Sequence, residues 1–232
     1  MDWEPIDKGS IVWSGEISNL SEKKRIAQSI ADNVKSGDII GFGSGSTSFL
    51  ASLAIGERIK NEGIQITAIP TSYEILVLCS DIGIPVTSLL HSRPDWCFDG
   101  VDEIDQDGNM IKGRGGALFT EKLVMKSSQR VFILADKTKL VPYLGFSFPV
   151  PIEVHPNALT YVKSQLKKFN TDSVSIRMAK GKDGPIITEH GNIILDVKFD
   201  RIYPSLEAEL SEITGVFESG LFCGIHPEIL LS

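Results

Sequence analysis

The stretch "FDGVDEIDQDGNMIKGRGGALFTEK", residues 98–122, sets carboxylates, lysines and glycines between two apolar runs. Asp99 and Asp102 flank the end of a predicted strand, where catalytic groups of open α/β sheets collect. Lys112 precedes Gly113, Gly115 and Gly116, and Glu121 falls on the predicted helix that follows. Carboxylates move protons. Successive glycines can aim several backbone N–H groups at one point, making an anion-binding concavity, and Lys112 adds a full positive charge at its edge. Asp105, Asp107 and Glu103 suit a solvated acidic turn, because "DQDGN" is turn chemistry. A calcium loop aligned on Glu103, Asp105, Asp107 and Gly108 fails at its twelfth position, which is Arg114 and not Glu. Glu121 also reads as a helix-surface acid, with Lys122 as its solvated neighbour.

A second loop, "GFGSGSTS" at 41–48, follows a predicted strand and opens a helix. Free N–H groups at a helix start favour an anion such as phosphate, and Ser44, Ser46 and Thr47 add hydroxyls beside Gly45. There is no Lys ahead of the Ser/Thr, as a nucleotide P-loop requires. The spacing is GxGxG, not GxGxxG, and the next strand ends in Thr71 and Ser72 where a dinucleotide site needs an acid. A single phosphomonoester fits better; a tight strand-to-helix turn with an incidental cap is the alternative. The residues by themselves point to a small phosphorylated ligand and acid–base chemistry by carboxylates.

These residues need a frame. Residues 1–19 have no clear period. Ile26, Ile30 and Val34 recur every four residues, which predicts a helix from an N-cap at Ser21 to Gly37. "DIIGFG" reads as a buried strand, "TSFLASLAIGERI" as a helix and "IQITAIP" as a strand. Thr71 and Glu74 have capping-box spacing ahead of the helix "YEILVLCSDIG". Strands follow at "PVTSLL" and "DWCF", then a helix at "ALFTEKLVMKSS" and the strand "RVFILAD". Alternation of strand and helix predicts a parallel sheet. After "GFSFPVP" the order becomes strand "VPIEV", helix "NALTYVKSQLKKF", strands "SVSIRMA" and "NIILDVKF", helix "SLEAELSEI" and strand "GVFESGLF". This βαββαβ order predicts a ferredoxin-like unit. The fold class expected is α/β: a Rossmann-like parallel-sheet domain over 1–148 and 214–232, with a smaller ferredoxin-like α+β domain over 149–213.

The chain of 232 residues is 42% apolar and carries a net charge of −7, as befits a soluble globular protein of one or two domains. Its acidity argues against nucleic-acid and anionic-membrane partners, and a lone RGG in such a chain is weak evidence for RNA. The opening "MDWEPIDKGSIVW" lacks the pattern of a signal peptide, and no apolar run reaches the roughly 20 residues of a membrane span. Cys79, Cys97 and Cys223 have neither zinc nor disulfide spacing, and the four histidines never fall in HxH or HxxxH. The expectation is a cytoplasmic protein without a metal site built on its histidines or cysteines.

The stretches "GSGSTS", "DGVDEID", "MIKGRGGAL..EK", "ILADKTK", "FPVPIEV", "GNIILDV" and "ITGV...GLF" occur in register from about 21 to 224. In this order and spacing the chain resembles the ribose-5-phosphate isomerases of type A. The resemblance implies a metal-independent, cofactor-free aldose–ketose isomerase that interconverts ribose 5-phosphate and ribulose 5-phosphate. It matches Glu121 to the catalytic base, and Asp99, Asp102 and Lys112 to polar groups around the sugar's reacting end. Ser44, Gly45, Ser46 and Thr47 match one binding loop, Gly100 and Val101 lie within a second, and Gly113, Arg114 and Gly115 belong to a third. Lys139 matches a phosphate ligand, and Lys23 falls where an N-terminal helix offers another lysine. A homodimer or homotetramer is implied as well. Ser44 replaces the family's common Thr, Arg114 replaces a usual Gly, and the first 19 residues exceed the common start. The rival functions are an acyl-CoA transferase-like enzyme, against which Lys112 and Lys139 count, and a non-catalytic sugar-phosphate sensor, against which Glu121 counts.

Overall fold

The computed structural model describes residues 11–13 and 15–231. Most of the N-terminal extension, residues 1–10 and Ser14, lies outside the described residues. The chain divides into two compact units. The first holds the chain up to Gly100, Leu123–Lys137 and the residues from Pro227; the second holds Val101–Lys122 and Thr138–His226.

In the first unit α1 (Leu20–Ala31) precedes β1 (Ile39–Phe42), α2 (Ser46–Glu62), β2 (Thr67–Pro70), α3 (Tyr73–Ile82) and β3 (Trp96–Gly100). The second unit opens with β4 (Glu103–Ile104) and β5 (Met110–Ile111). Then α4 (Leu118–Ser127) carries the chain across the division, and β6 (Arg130–Ala135) lies in the first unit. The second unit resumes with β7 (Val150–Val154), α5 (Leu159–Leu166), β8 (Thr171–Ile176), β9 (Ile193–Phe199), α6 (Leu206–Ser211), β10 (Val216–Ser219) and β11 (Leu221–Phe222). The final strand, β12 (Glu228–Leu231), belongs to the first unit. The protein is thus α/β, with a five-stranded parallel sheet, β12-β6-β3-β1-β2, and two antiparallel sheets, β10-β7-β9-β8 and β11-β5-β4.

Helical spacing on α1 buries Ile26, Ala27, Ile30 and Ala31 against a core that also takes Phe42, Ile55, Leu78, Trp96, Phe98 and Phe132. Phe42 and Phe98, on adjacent parallel strands, meet edge-on at 4.9 Å between centroids. Removing each such ring from water contributes roughly 2–3 kcal/mol. The second core gathers Val150, Ile152 and Val154 of β7 with Val162, Leu166, Leu195, Val197, Leu206 and Leu210. Among the described residues no helix is long and apolar enough to cross a membrane.

Several expectations are corrected. The first helix starts at Leu20, ahead of the expected Ser21 cap, and its N-cap Asn19 has a left-handed backbone with φ 53°. The cap of α3 is Ser72, whose Oγ accepts from the Ile75 amide, while the neighbouring Thr71 hydroxyl donates to the Phe42 carbonyl. "PVTSLL" makes only an isolated bridge from Val86 to Ala68. Pro85 has no N–H to donate, and the chain turns at Ser88, whose carbonyl accepts from His91 and Ser92. "GVFESGLF" is two short strands, β10 on β7 and β11 on β5, and the strand that joins the parallel sheet is β12. The division into units therefore differs from a boundary near Phe148 with 214–232 returning. Residues 101–122 are tied by β5 to β11, and the Glu103 carboxylate accepts from the amides of Gly145, Ser147 and Phe148.

Candidate active site

In the first unit, β1 and β3 lie side by side and both end at the candidate residues. Asp99 is 1% exposed, and its Oδ1 accepts from the amides of Ser44 (3.2 Å) and Gly100 (2.7 Å) and from the Ser48 hydroxyl (3.3 Å). Gly43 permits this. A Cβ there would stand 2.3 Å from Asp99 Cγ and 2.5 Å from the Phe98 carbonyl oxygen, so only glycine lets the loop close over the carboxylate. The Ser44 hydroxyl lies 2.8 Å from Thr71 Oγ1 and donates to Ser72 Oγ at 2.7 Å, a chain of hydroxyls across the ends of β1 and β2. Lys23, 6% exposed, reaches from α1 to donate to Ser46 Oγ at 3.0 Å. Gly45 precedes α2, and Thr47 sits in its first turn. A helix start joined to a lysine and hydroxyls can hold an anion.

In the second unit, the β4–β5 hairpin closes through Asp105, whose carboxylate accepts from the Asp107 and Asn109 amides. This is the acidic turn expected of Asp105 and Asp107. The hairpin sets Lys112 one residue beyond β5, where its amide donates to the Gly220 carbonyl at 2.9 Å. Gly220 is required by a close approach, since a Cβ would lie 2.3 Å from the Lys112 carbonyl oxygen. Lys112 Nζ stands 3.4 Å from Glu121 Oε2, with both side chains almost fully buried. Glu121 lies in the first turn of α4, where the free amides also favour a negative charge. Asp102 accepts from the Arg114 amide at 3.0 Å. Gly113 through Gly116 turn between Lys112 and α4, with the Gly116 amide donating to the Gly113 carbonyl.

Three supports of this segment are not among the expected site residues. Arg177, just beyond β8, pairs both of its ends with Asp196 of β9 and donates to the carbonyls of Gly113 (2.7 Å) and Arg114 (2.9 Å). Glu103, read from the sequence as a turn acid, is fully buried. Lys122, read as a solvated helix neighbour, is 3% exposed and donates to Glu207 (2.7 Å), Glu218 (2.6 Å) and the Ser219 carbonyl (2.9 Å). Lys139 Nζ lies 5.4 Å from the centroid of the Phe148 ring, and Arg114 Cζ lies 5.7 Å from it.

The expected residues thus fall into two groups, each within its own unit. Asp99, Gly100, Ser44, Gly45, Ser46, Thr47 and Lys23 belong to the first unit; Val101, Asp102, Lys112, Gly113, Arg114, Gly115, Glu121 and Lys139 belong to the second. Thr71, Ser72, Glu103, Arg177 and Phe148 were not picked out as site residues. Only the parallel pairing of β1 with β2 could have flagged Thr71 and Ser72. Among the described residues no group of three or more His, Cys, Asp or Glu side chains is arranged to hold a metal ion. The arrangement can hold anions on amides and lysines, and it sets a buried carboxylate beside a buried ammonium.

Residues 67–232 match the family model described as ribose 5-phosphate isomerase A (phosphoriboisomerase A). The chain is 42% identical to the ribose-5-phosphate isomerase A of Methanothermobacter thermautotrophicus, over 91% of this chain and 93% of the relative. It resembles the solved ribose 5-phosphate isomerase A of Methanocaldococcus jannaschii, with a TM-score of 0.88 at 37% identity, covering 92% of this chain and 95% of that one. A D-ribose-5-phosphate isomerase solved in complex with phospho-erythronic acid has a TM-score of 0.89 at 38% identity, covering 93% and 95% of the two chains. With matches of this length and identity, the chain belongs to the ribose 5-phosphate isomerase A family.

Proposed function

We propose that Glu121 is the base that shifts a proton between C1 and C2 of the open-chain sugar through an enediolate. The activity is that of a ribose 5-phosphate isomerase, in the pentose phosphate pathway. From the aldose side, the Glu121 carboxylate takes the hydrogen on C2, and the electron pair moves onto the carbonyl oxygen at C1. Lys112 and the amides of Gly113 and Gly115 stabilise the oxyanion that forms. The proton then goes from Glu121 to C1, while the hydroxyl at C2 becomes the carbonyl. Asp99 and Asp102 hold hydroxyls, assist ring opening and pass protons between oxygens. The observation that carries this reading is the Lys112–Glu121 pair, buried at 3.4 Å beside a glycine turn.

Lys23 with the Ser44–Thr47 loop, and Lys139, are assigned to the substrate's phosphate; Gly100, Val101 and Arg114 are assigned to binding. A relative's complex with phospho-erythronic acid supports a phosphorylated sugar-like ligand. The reaction is read as metal-independent and cofactor-free, and the protein as a cytoplasmic homodimer or homotetramer that contacts neither nucleic acid nor membrane. The parallel-sheet unit is read as Rossmann-like. The strand order β10-β7-β9-β8 supports a ferredoxin-like reading of the βαββαβ stretch.

The test is isomerisation of ribose 5-phosphate in deuterated water with excess chelator. The wild type is expected to turn over and to carry deuterium at C1 or C2, and Glu121→Gln to exchange none while still binding substrate. Turnover lost to the chelator would refute the metal-independent reaction, and wild-type exchange by the variant would remove Glu121 from it.

A further inference from the structure

The ring of Phe148 has two cations over it: the Lys139 ammonium at 5.4 Å and the Arg114 guanidinium at 5.7 Å from its centroid. Both lie within the range where a ring's quadrupole attracts a cation. Neither Arg114 nor Lys139 forms an ion pair among the described residues, in contrast to Lys122 with its two carboxylates. Two like charges gathered on one ring repel each other, and an anion shared between them relieves that repulsion. A phosphate dianion suits the pair. The guanidinium fork engages two of its oxygens, and the ammonium supplies a mobile point charge.

The ring itself is held by an unusual device. Glu103 is 0% exposed, and its carboxylate accepts from the Gly145 amide (2.7 Å), the Ser147 amide and the Phe148 amide (2.7 Å). Three amides within four residues converge on one buried acid, so the chain entering β7 is fixed where Phe148 leaves it. The Val141 amide donates to the Ile104 carbonyl at 2.9 Å and ties the start of the same loop to β4. A turn acid on the surface would do none of this.

We propose that Arg114 and Lys139 form a two-cation clamp on the substrate's phosphate, seated on the Phe148 ring, with Glu103 as the positioning residue that holds the ring. Arg114 is then a specificity-determining residue that favours a phosphorylated end over a neutral one. The clamp rests on the reading of Lys139 as a phosphate ligand.

The experiment measures KM and kcat for ribose 5-phosphate, and Ki for inorganic phosphate as a competitive inhibitor, in Phe148→Leu, Arg114→Gln, Glu103→Gln and Lys139→Met. Phe148→Leu keeps apolar bulk and is expected to raise KM and Ki together by about five-fold. Arg114→Gln is expected to raise both by about ten-fold. Because uniform binding is what is lost, kcat in both stays within about two-fold of wild type. Glu103→Gln can accept fewer of the three amides and should shift KM and Ki in the same direction; should it fail to fold, Phe148→Leu carries the test. Wild-type KM and Ki in folded Phe148→Leu and Arg114→Gln would overturn the clamp, as would a fall in kcat with KM unchanged. Lys139→Met separates the two ideas. A raised Ki there with no change in the other variants overturns the clamp alone, whereas an unchanged Ki in Lys139→Met removes the assignment of Lys139 and the clamp with it.

Discussion

Glu121 and Lys122 are adjacent in α4, and each meets a partner of opposite charge in the second unit. Lys122 donates to Glu207, Glu218 and the Ser219 carbonyl at 2.6–2.9 Å. Lys112 and Glu121 stand 3.4 Å apart next to a glycine turn. The Phe222 ring lies beneath both ammonium groups, 4.8 Å from Lys122 and 5.8 Å from Lys112. The same residue types therefore serve two purposes. The short, three-acceptor arrangement bolts α4 to α6 and β10, and the pair beside the glycine turn is the one proposed for chemistry. Burial alone does not separate the two lysines; the glycine turn that follows Lys112 does.

Exchanging the charges one at a time breaks this contrast. Glu121→Gln is expected to lose about 10²–10⁴ in kcat, measured by steady-state assay on protein that a urea denaturation curve shows to be folded. Lys122→Met takes the cation from two half-buried carboxylates, each of which keeps one amide donor, and should cost about 1.5–3 kcal/mol of folding stability. The kcat of its folded fraction should move far less. Were Lys122→Met to lose activity at full stability, the two lysines would have to exchange roles.

Cys223 offers a probe of the bolted cluster. Its amide donates to Glu207 at 3.0 Å, and burial, followed by the nearby Glu207, pushes the thiol up to about 12. The thiol form thus persists through neutral and mildly alkaline pH. At pH 8 its labelling by a disulfide reagent should run roughly 10²-fold slower than that of an unperturbed cysteine. Rapid labelling in the native protein would mean that the cluster opens readily. The smallest effect sharpens the comparison on the side of the first unit. Gly43→Ala puts a methyl 2.4 Å from Asp99 Oδ1, and a displaced carboxylate of this kind should lower kcat about ten-fold. Unchanged turnover would detach Asp99 from the reaction.

What could be read from the residues alone follows the range of the interactions involved. The strand-to-helix alternation, the glycine and hydroxyl loop at 41–48 and the Asp105 turn are local patterns, and they stand where periodicity and turn chemistry set them. Glu103 and Lys122 were misjudged because their partners are far away in the chain, 42 to 45 residues for Glu103 and 85 to 97 for Lys122. Spacing within a motif carries no trace of such partners. The cap of α3 is one residue later than the Thr71–Glu74 spacing suggests: the Thr71 side chain is turned to the Phe42 carbonyl, 29 residues away, and Ser72 accepts from the Ile75 amide. "PVTSLL" has the right composition for a strand, but a proline and an early turn leave it one bridge. The segment that pairs with the parallel sheet is β12, whereas β10 and β11 have antiparallel partners in β7 and β5.

Arg177 grips the Gly113 and Arg114 carbonyls from the β8–β9 ribbon, with Asp196 as its counter-hold. Much of β8 is open to solvent and sits at the margin of its sheet, a place where fraying begins on warming. Once that ribbon loosens, the peptide planes after Lys112 are released to rotate, and the oxyanion cradle proposed for them is lost while the parallel sheet still stands. Heat should therefore silence this enzyme at a temperature below the one that melts it.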